Sequence, residues 1–368
     1  MRIGIIGAGQ LGQMLGFAAR DLDVECIFVD PSDDPPAAVC GEVIQRPFDD
    51  PGALAQLAAT CDVVTFEFEN VPVEALRRIE GRVAIYPPPA ALEHSQDRLA
   101  EKQLFEELEI PLPGYHVVNT REDIDVAVEA HGMPLVIKTR RLGYDGKGQF
   151  VIRGQENIDE AWQKLGGNAL IAEQWVPFDY EVSCIGARNG NGDVVIYPLS
   201  HNVHEGGILS TSRSPVDVPQ LAGTAERYVR TMLSHLDYVG TLALELFVCG
   251  DKLLANEFAP RVHNSGHWSI EGSQTSQFEN HLRAILNRPL GSTAHVGHAG
   301  MVNLIGEIPP AARAIENTYL HEYGKSPRPG RKLGHITVID ESAEARDKFL
   351  DTIRHTVTHS PPSTGNTA

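Results

Sequence analysis

The stretch TLALELFVCGDKLLANEFAPR, Thr241 to Arg261, constrains the fold more tightly than any other. Two almost wholly apolar runs flank a short Cys249-Gly250-Asp251 turn, which reads as an antiparallel hairpin buried on both faces. Two carboxylates, Glu245 and Glu257, interrupt those runs. A hairpin centred on Asp251 sets them opposite each other, each six residues from the centre. Directly opposed side chains have Cβ atoms about 4.5–5.5 Å apart, where like charges repel. A divalent cation converts that repulsion into coordination: Mg²⁺ takes oxygen ligands, often one or two carboxylates plus nucleotide phosphates, and Asn256 adds another oxygen donor. The alternative is a pair of solvent-facing acids, and the apolar neighbours argue against it.

Upstream, cations gather where phosphates would answer them. Lys138 ends the apolar strand PLVIK, where a partly buried ammonium needs a counter-charge; a lysine snorkelling from the strand end to solvent is the alternative. The segment Arg140-Arg141-Leu142-Gly143-Tyr144-Asp145-Gly146-Lys147-Gly148-Gln149 follows, and its glycines free the backbone amides to fold around phosphate oxygens. It lacks the GxxxxGK[ST] spacing of a P-loop, and a plain hairpin needs neither three glycines nor three basic residues. Arg98 and Lys102 stand four apart on a helix predicted over 97–108, suited either to a solvated face or to a site at a domain boundary. Glu173-Gln174-Trp175-Val176 after an apolar strand, and Glu181 at the next, offer backbone groups for a base and a carboxylate for ribose hydroxyls.

The N-terminus presents a different phosphate signature. In IGIIGAGQLG, Gly7, Gly9 and Gly12 have the spacing of a dinucleotide-binding strand-to-helix turn, and Asp30 ends the second strand where a ribose-binding acid would sit. The same glycines also serve tight strand-to-helix packing alone. Through the first hundred residues, short apolar strands alternate with helical patterns, which reads as a parallel sheet covered by helices. From about Met133 the strands lie too close together for crossover helices, so an antiparallel or mixed sheet follows. Helices are expected near 220–236, 274–286, 311–319 and 343–356. The pattern is α/β followed by α+β, divided at 1–96, 97–296 and 297–358, with 359–368 as a flexible tail.

Composition narrows the partners. With 49 Asp and Glu against 31 Lys and Arg the chain carries a formal charge of −18, which disfavours nucleic acid. Five cysteines without metal-ligand spacing predict reduced thiols rather than a disulfide framework. The absence of a membrane-length apolar run or a signal-peptide pattern leads to the expectation of a cytoplasmic protein with no membrane partner.

Taken in order, Lys138, Gly143 to Gln149, Glu173 to Val176, Glu181, His204, Glu245 and Asn256-Glu257 resemble the ATP-grasp enzymes. More narrowly the chain is similar to the N5-carboxyaminoimidazole ribonucleotide synthases, a resemblance that extends from the GxGQLG opening through NEFAPRVHNSGHW to Lys332-Leu333-Gly334-His335. It implies an ATP-grasp fold with a Rossmann-like N-terminal domain that does not bind NAD and a small C-terminal domain. It further implies that Arg98, Lys138, Gly143, Tyr144, Asp145, Gly146, Lys147, Gly148, Gln149, Glu173, Gln174, Trp175, Val176, Glu181, His204, Asn256 and Glu257 contact ATP, with Glu245 and Glu257 holding Mg²⁺. Arg261, His263, Asn264 and Lys332, together with Lys138, become the catalytic set at the carboxyphosphate and substrate end. The implied reaction is ATP- and bicarbonate-dependent carboxylation of 5-aminoimidazole ribonucleotide, by a homodimer.

Another ATP-grasp ligase, such as a formate-dependent glycinamide ribonucleotide transformylase or a biotin-carboxylase-like enzyme, would share the ATP and metal residues and differ in the acceptor pocket. An NAD-dependent dehydrogenase would use the opening loop but leave the opposed glutamates unexplained; a noncatalytic nucleotide-binding protein would leave the full set idle. His201 departs from the glutamate expected in such enzymes at this point. An imidazole near ATP would make nucleotide affinity depend on pH around 6.5.

Overall fold

The computed structural model describes residues 1–143 and 146–359, so Tyr144, Asp145 and residues 360–368 lie outside the described residues. Strands β1 (Arg2–Ile6), β2 (Glu25–Asp30), β3 (Glu42–Gln45), β4 (Val63–Phe66) and β5 (Ala84–Ile85) form a parallel sheet in the order β3-β2-β1-β4-β5. Helices α1 (Gln10–Asp21), α2 (Pro51–Thr60) and α3 (Val73–Arg77) connect them. Because both faces are covered, with Ile3, Ile5 and Phe28 in one core and Ile6, Val64 and Phe66 in the other, the strands read as continuous apolar runs.

The glycine loop of this sheet is already filled. The Glu67 carboxylate accepts a hydrogen bond from Gly9 N at 2.8 Å, and Asp30 accepts one from Ala8 N at 2.9 Å. A Cβ on Gly7, whose φ is +100°, would stand 2.7 Å from Glu67 Oε1, and one on Gly9 2.8 Å from it. The glycines thus make room for an internal carboxylate at the place where a dinucleotide pyrophosphate would approach.

Helix α4 (Pro89–Gln96) breaks at Asp97, whose side chain caps α5 (Arg98–Glu107) by accepting from Leu99 N at 3.0 Å. The antiparallel strands β6 (Tyr115–Val118), β7 (Leu135–Thr139), β8 (Gln149–Ile152) and β9 (Leu170–Gln174) form a sheet in the order β6-β9-β7-β8. Helices α6 (Arg121–His131) and α7 (Ile158–Leu165) pack on its apolar face through Ile124, Ala127, Ile158 and Ala161.

The remaining strands build a nine-stranded antiparallel sheet: β10 (Tyr180–Arg188), β11 (Val194–Ile196), β12 (Ser200–Glu205), β13 (Ile208–Ser214), β14 (Gly240–Cys249), β15 (Lys252–Ala259), β16 (His298–Ile305), β17 (Tyr319–Glu322) and β18 (Lys332–Asp340). Its main path is β15-β14-β10-β12-β13-β16-β18-β17, with β11 beside β10. Helix α8 (Pro219–His235) covers one half of a face. Short α9 (Ser269–Gly272) leads to α10 (Gln277–Ile285), and α11 (Ala343–His359) covers the C-terminal strands through Leu350 and Ile353. The C-terminal segment therefore extends the same sheet, β16 pairing with β13, while keeping a small core of its own.

The helix expected near 311–319 does not form. A 3-10 turn at Pro310–Ala314 gives way to Asn317 at φ +57°, which no right-handed helix accommodates, and Tyr319–Glu322 then joins the edge of β18. Helix α10 ties the two large sheets together through one imidazole. His281 Nδ1 accepts from Thr241 N at 3.1 Å, which leaves the proton on Nε2, 3.0 Å from Thr65 Oγ1. Burial holds that ring down at about 4 and so neutral. No helix of the described residues is long and apolar enough to cross a membrane.

Candidate active site

Glu245 and Glu257 do face each other, by a different route from the one the spacing suggests. The hairpin closes at Cys249↔Lys252, so a regular ladder would continue through Leu246↔Ala255 to pair Glu245 with Asn256. A β-bulge intervenes: the register shifts after Leu246, Asn256 becomes the extra residue, and Glu245 pairs with Glu257. The turn is centred half a residue before Asp251, and the bulge restores the opposition.

These carboxylates lie at the floor of a cleft between the small and the large sheet, about 1050 Å³ with its open mouth. Lys138 and Glu173 come from the small sheet, Glu181, His204 and Glu245 from the large one, and Gly146, Lys147 and Gln149 from the glycine-rich turn and its strand. Gln174, Trp175 and Val176 line the far end beside Phe178, which stacks on Phe247 with ring centroids 4.7 Å apart. Asn256 also lines it. Of the residues named from sequence for this end, Gly143 faces the neighbouring cavity and Gly148 packs on Thr139, where a Cβ would come within 2.5 Å of Oγ1. Tyr144 and Asp145 lie outside the described residues.

The electrostatics of the cleft divide into two ends. Lys138 Nζ donates to Glu173 Oε2 at 2.8 Å, with Lys102 Nζ 3.7 Å from the other oxygen and Arg98 close by. One carboxylate is shared among three cations. Burial opposes its charge, yet Lys102, Lys138 and Arg98 outweigh burial and hold Glu173 down at about 2. For Lys138 the balance reverses: burial, helped by Arg98 and Lys102, wins over Glu173 and lowers the ammonium. The two shifts describe one condition, an excess of positive charge that an anionic ligand would relieve.

At the other end acids crowd together. Burial, then repulsion from Glu257, pushes Glu245 up to about 7. Glu257 keeps 43% of its side chain open to the cavities; burial works to raise it, but Arg98 Nη1 at 3.0 Å holds it below the usual carboxylate range. One ligand atom each from Glu181, His204 and Glu245 lie within 4.8 Å of one another. Burial disfavours charge on His204, but Glu181 at 3.0 Å and the neighbouring Glu245 and Glu257 raise it. Oxygen donors that repel one another fit a hard divalent cation.

Behind Glu257 a second cavity of about 980 Å³ opens at the junction with the N-terminal sheet. Arg261, His263, Asn264 and Lys332 all line it, as the sequence groups them, and Gln10, Glu69 and Asn70 close it from the N-terminal side. Arg261 donates to Glu69 and to its neighbour Val262 O. His263 Nδ1 accepts from Ser265 N at 3.3 Å, which assigns the proton to Nε2, 3.2 Å from Glu245 Oε1. Burial, with Arg261 and Lys332 nearby, holds His263 well below the usual imidazole range, so it acts as a neutral donor. Arg98 and Glu257 line both cavities.

A Pseudomonas aeruginosa N5-carboxyaminoimidazole ribonucleotide synthase is 48% identical over 340 residues, covering 92% of this chain and 94% of that protein. The chain belongs to the N5-carboxyaminoimidazole ribonucleotide synthase family. Matches to the ribonucleotide synthetase preATP-grasp domain at residues 1–96, the ATP-grasp domain at 103–278 and the phosphoribosylaminoimidazole carboxylase C-terminal domain at 299–348 agree with that membership. The crystal structure of the N5-carboxyaminoimidazole ribonucleotide synthetase from Thermus thermophilus superposes with a TM-score of 0.92 at 49% identity, covering 98% of this chain and 99% of that one. An Aspergillus clavatus N5-carboxyaminoimidazole synthase, solved with ADP and 5-aminoimidazole ribonucleotide, gives 0.90 at 31% identity over 97% and 98% of the two chains.

Several residues of this N5-carboxyaminoimidazole ribonucleotide synthase-family site carry no local sequence signal. Glu101 and Lys102 are buried at the floor of the clefts, Glu101 bordering the second cavity, although their helix reads as a possible solvated face. Glu69 and Asn70 come from the loop after β4 and reach the site only through the docking of the N-terminal sheet. His201 is the converse case. It pairs in register with Arg213 on the face of β12 opposite Asn202 and His204, edge-on to Tyr180 at 5.1 Å. Burial and then Arg213 hold it below the usual range, so its place is against the α11 side of the sheet and not in the nucleotide cleft.

Proposed function

We propose that the two joined cavities catalyse the ATP- and bicarbonate-dependent carboxylation of 5-aminoimidazole ribonucleotide, giving N5-carboxyaminoimidazole ribonucleotide, ADP and phosphate. The observation that carries this reading is the junction itself: a cation-rich cleft and a cavity lined by Arg261, His263, Asn264 and Lys332 meet at Arg98 and Glu257. ATP occupies the inter-sheet cleft, with its base toward Trp175 and Val176 and its phosphates toward Lys138 and Lys147. A bicarbonate oxygen attacks the γ-phosphorus at the junction, the bond to the ADP oxygen breaks, and carboxyphosphate forms beside the second cavity. Carboxyphosphate releases CO₂ and phosphate; the exocyclic amine of the ribonucleotide attacks the carbon, forms the N–C bond and loses a proton.

Glu245 and Glu257, with Asn256 beside them, are the residues that would hold Mg²⁺, which offsets negative charge on the transferring phosphoryl group. Arg261 and Lys332 suit phosphate and carboxylate oxygens. Neutral His263 donates to Glu245 and orients it. We place the protein in the cytoplasm as a homodimer, a state that sedimentation equilibrium tests directly.

The deciding experiment measures ADP release with MgATP and bicarbonate, with and without 5-aminoimidazole ribonucleotide. Release that depends on the ribonucleotide, and is lost in Glu257→Ala, supports the reading. Folded protein that releases no ADP in response to it moves the assignment to another acceptor.

A further inference from the structure

The metal pair depends on a bulge, and the bulge is held from outside its own hairpin. Without the bulge at Asn256, the ladder would continue in phase and set Glu245 against Asn256, and a one-residue slip carries a side chain to the other face of a sheet. Glu257 would then point into the apolar core shared with α8. Burying a carboxylate there is costly, yet the hairpin by itself supplies no partner for the bulged backbone.

Helix α5 supplies it. Arg98, Glu101 and Lys102 stand at i, i+3 and i+4 on one face, and each grips one of three consecutive residues of β15. Lys102 Nζ donates to Asn256 O at 2.8 Å, Arg98 to the Glu257 carboxylate at 3.0 Å, and Glu101 Oε1 accepts from Phe258 N at 2.8 Å. The loop after α5 adds a fourth contact, Ala255 N to Pro111 O at 2.7 Å. The bulge residue has no register partner on β14, and without Lys102 its carbonyl would lose its hydrogen-bond partner. Glu101 and Lys102 are 2% and 0% exposed, and Lys102 has a second neighbour in Glu173 at 3.7 Å.

We infer that Glu101 and Lys102 are positioning residues that latch the β15 bulge and thereby keep Glu257 opposite Glu245. Both act on the β15 backbone, although Glu101 also borders the second cavity and Lys102 also faces Glu173. The inference rests on the reading of Glu245 and Glu257 as the metal pair, and the test separates the two. Because the latch needs only an acceptor oxygen at position 101, glutamine serves there and leucine does not.

The experiment titrates Mn²⁺ into the full-length protein at saturating ADP and follows free Mn²⁺ by electron paramagnetic resonance, with thermal unfolding as the check on folding. Glu101→Leu is expected to weaken Mn²⁺ binding at least tenfold while Glu101→Gln stays within twofold of the parent. Hydrogen exchange at Phe258 NH should accelerate in the leucine variant and not in the glutamine variant. If Glu101→Leu does not accumulate folded, Lys102→Met carries the same expectation, with Glu173→Gln as the control for the contact that Lys102 also makes there. Parental Mn²⁺ affinity in either folded variant, with Glu257→Gln weakened, overturns the latch alone. Parental affinity in Glu257→Gln overturns the metal pair and the latch with it.

Discussion

The Arg98 guanidinium lies 3.0 Å from the Glu257 carboxylate, and both side chains form part of the wall of each of the two cavities. The pair therefore sits where a group leaving one ligand would arrive at the next. Arg98 also holds Glu257 ionised against burial. Arg98→Met should lower kcat/KM at least about tenfold, since removing one partner leaves a carboxylate without its counter-charge. The acid limb of the kcat/KM profile should move to higher pH; rate measurements across pH 5 to about 9 read the shift.

Glu173 makes stability depend on acid. Its value falls from the usual 4.5 to about 2 in the folded protein because Lys102, Lys138 and Arg98 outweigh burial. A folded-state value below the unfolded one contributes stability that is fully present above pH 4.5 and is lost as pH falls toward 2. From pH 5 to 3 the parent should lose about 2 kcal/mol more than Glu173→Gln. Urea unfolding at the two pH values compares them, and parallel losses would contradict the ion cluster.

The occupied glycine loop predicts a negative and a positive result. NADH fluorescence titration should show no saturable binding, because Glu67 takes the amide that a pyrophosphate would need. Gly7→Ala should cost about 1–3 kcal/mol in urea unfolding, since its Cβ meets Glu67 at 2.7 Å on a backbone of positive φ.

His201 should not govern nucleotide affinity. Its register places it with Arg213 on the face away from Asn202 and His204. His201→Gln is expected to leave the KM for ATP within twofold between pH 6 and about 8, where a ring in the cleft would titrate. A pH-dependent change in that KM would return the imidazole to the cleft.

Local sequence carried the elements well. Period and length marked the parallel sheet, the antiparallel sheets and α8, because those patterns are dictated by which faces meet water. The Glu245–Glu257 opposition was legible from spacing, although the spacing worked only because a bulge compensates for a turn centred half a residue earlier. A bulge leaves no mark on hydrophobic period. Nor did the helix expected near 311–319 reveal that Asn317 would take a left-handed conformation.

The glycine loop shows where local reading stops. Its motif is common to dinucleotide sites and to tight strand-to-helix packing, and only the folded chain brings Glu67, from just beyond the end of β4, into the cradle. The same holds for Lys102, whose ammonium is buried because β15 lies across its helix.

What the sequence by itself determined was chemistry and order: the cations, the glycine-rich turn, the carboxylate pair and the Arg261 to Asn264 cluster are local choices of residue type. Tertiary structure alone decided that the two cavities share a wall at Arg98 and Glu257, that β15 is bulged, and that His201 turns away. Those outcomes depend on contacts between residues more than a hundred positions apart or on strand register, and neither leaves a periodic trace in the chain.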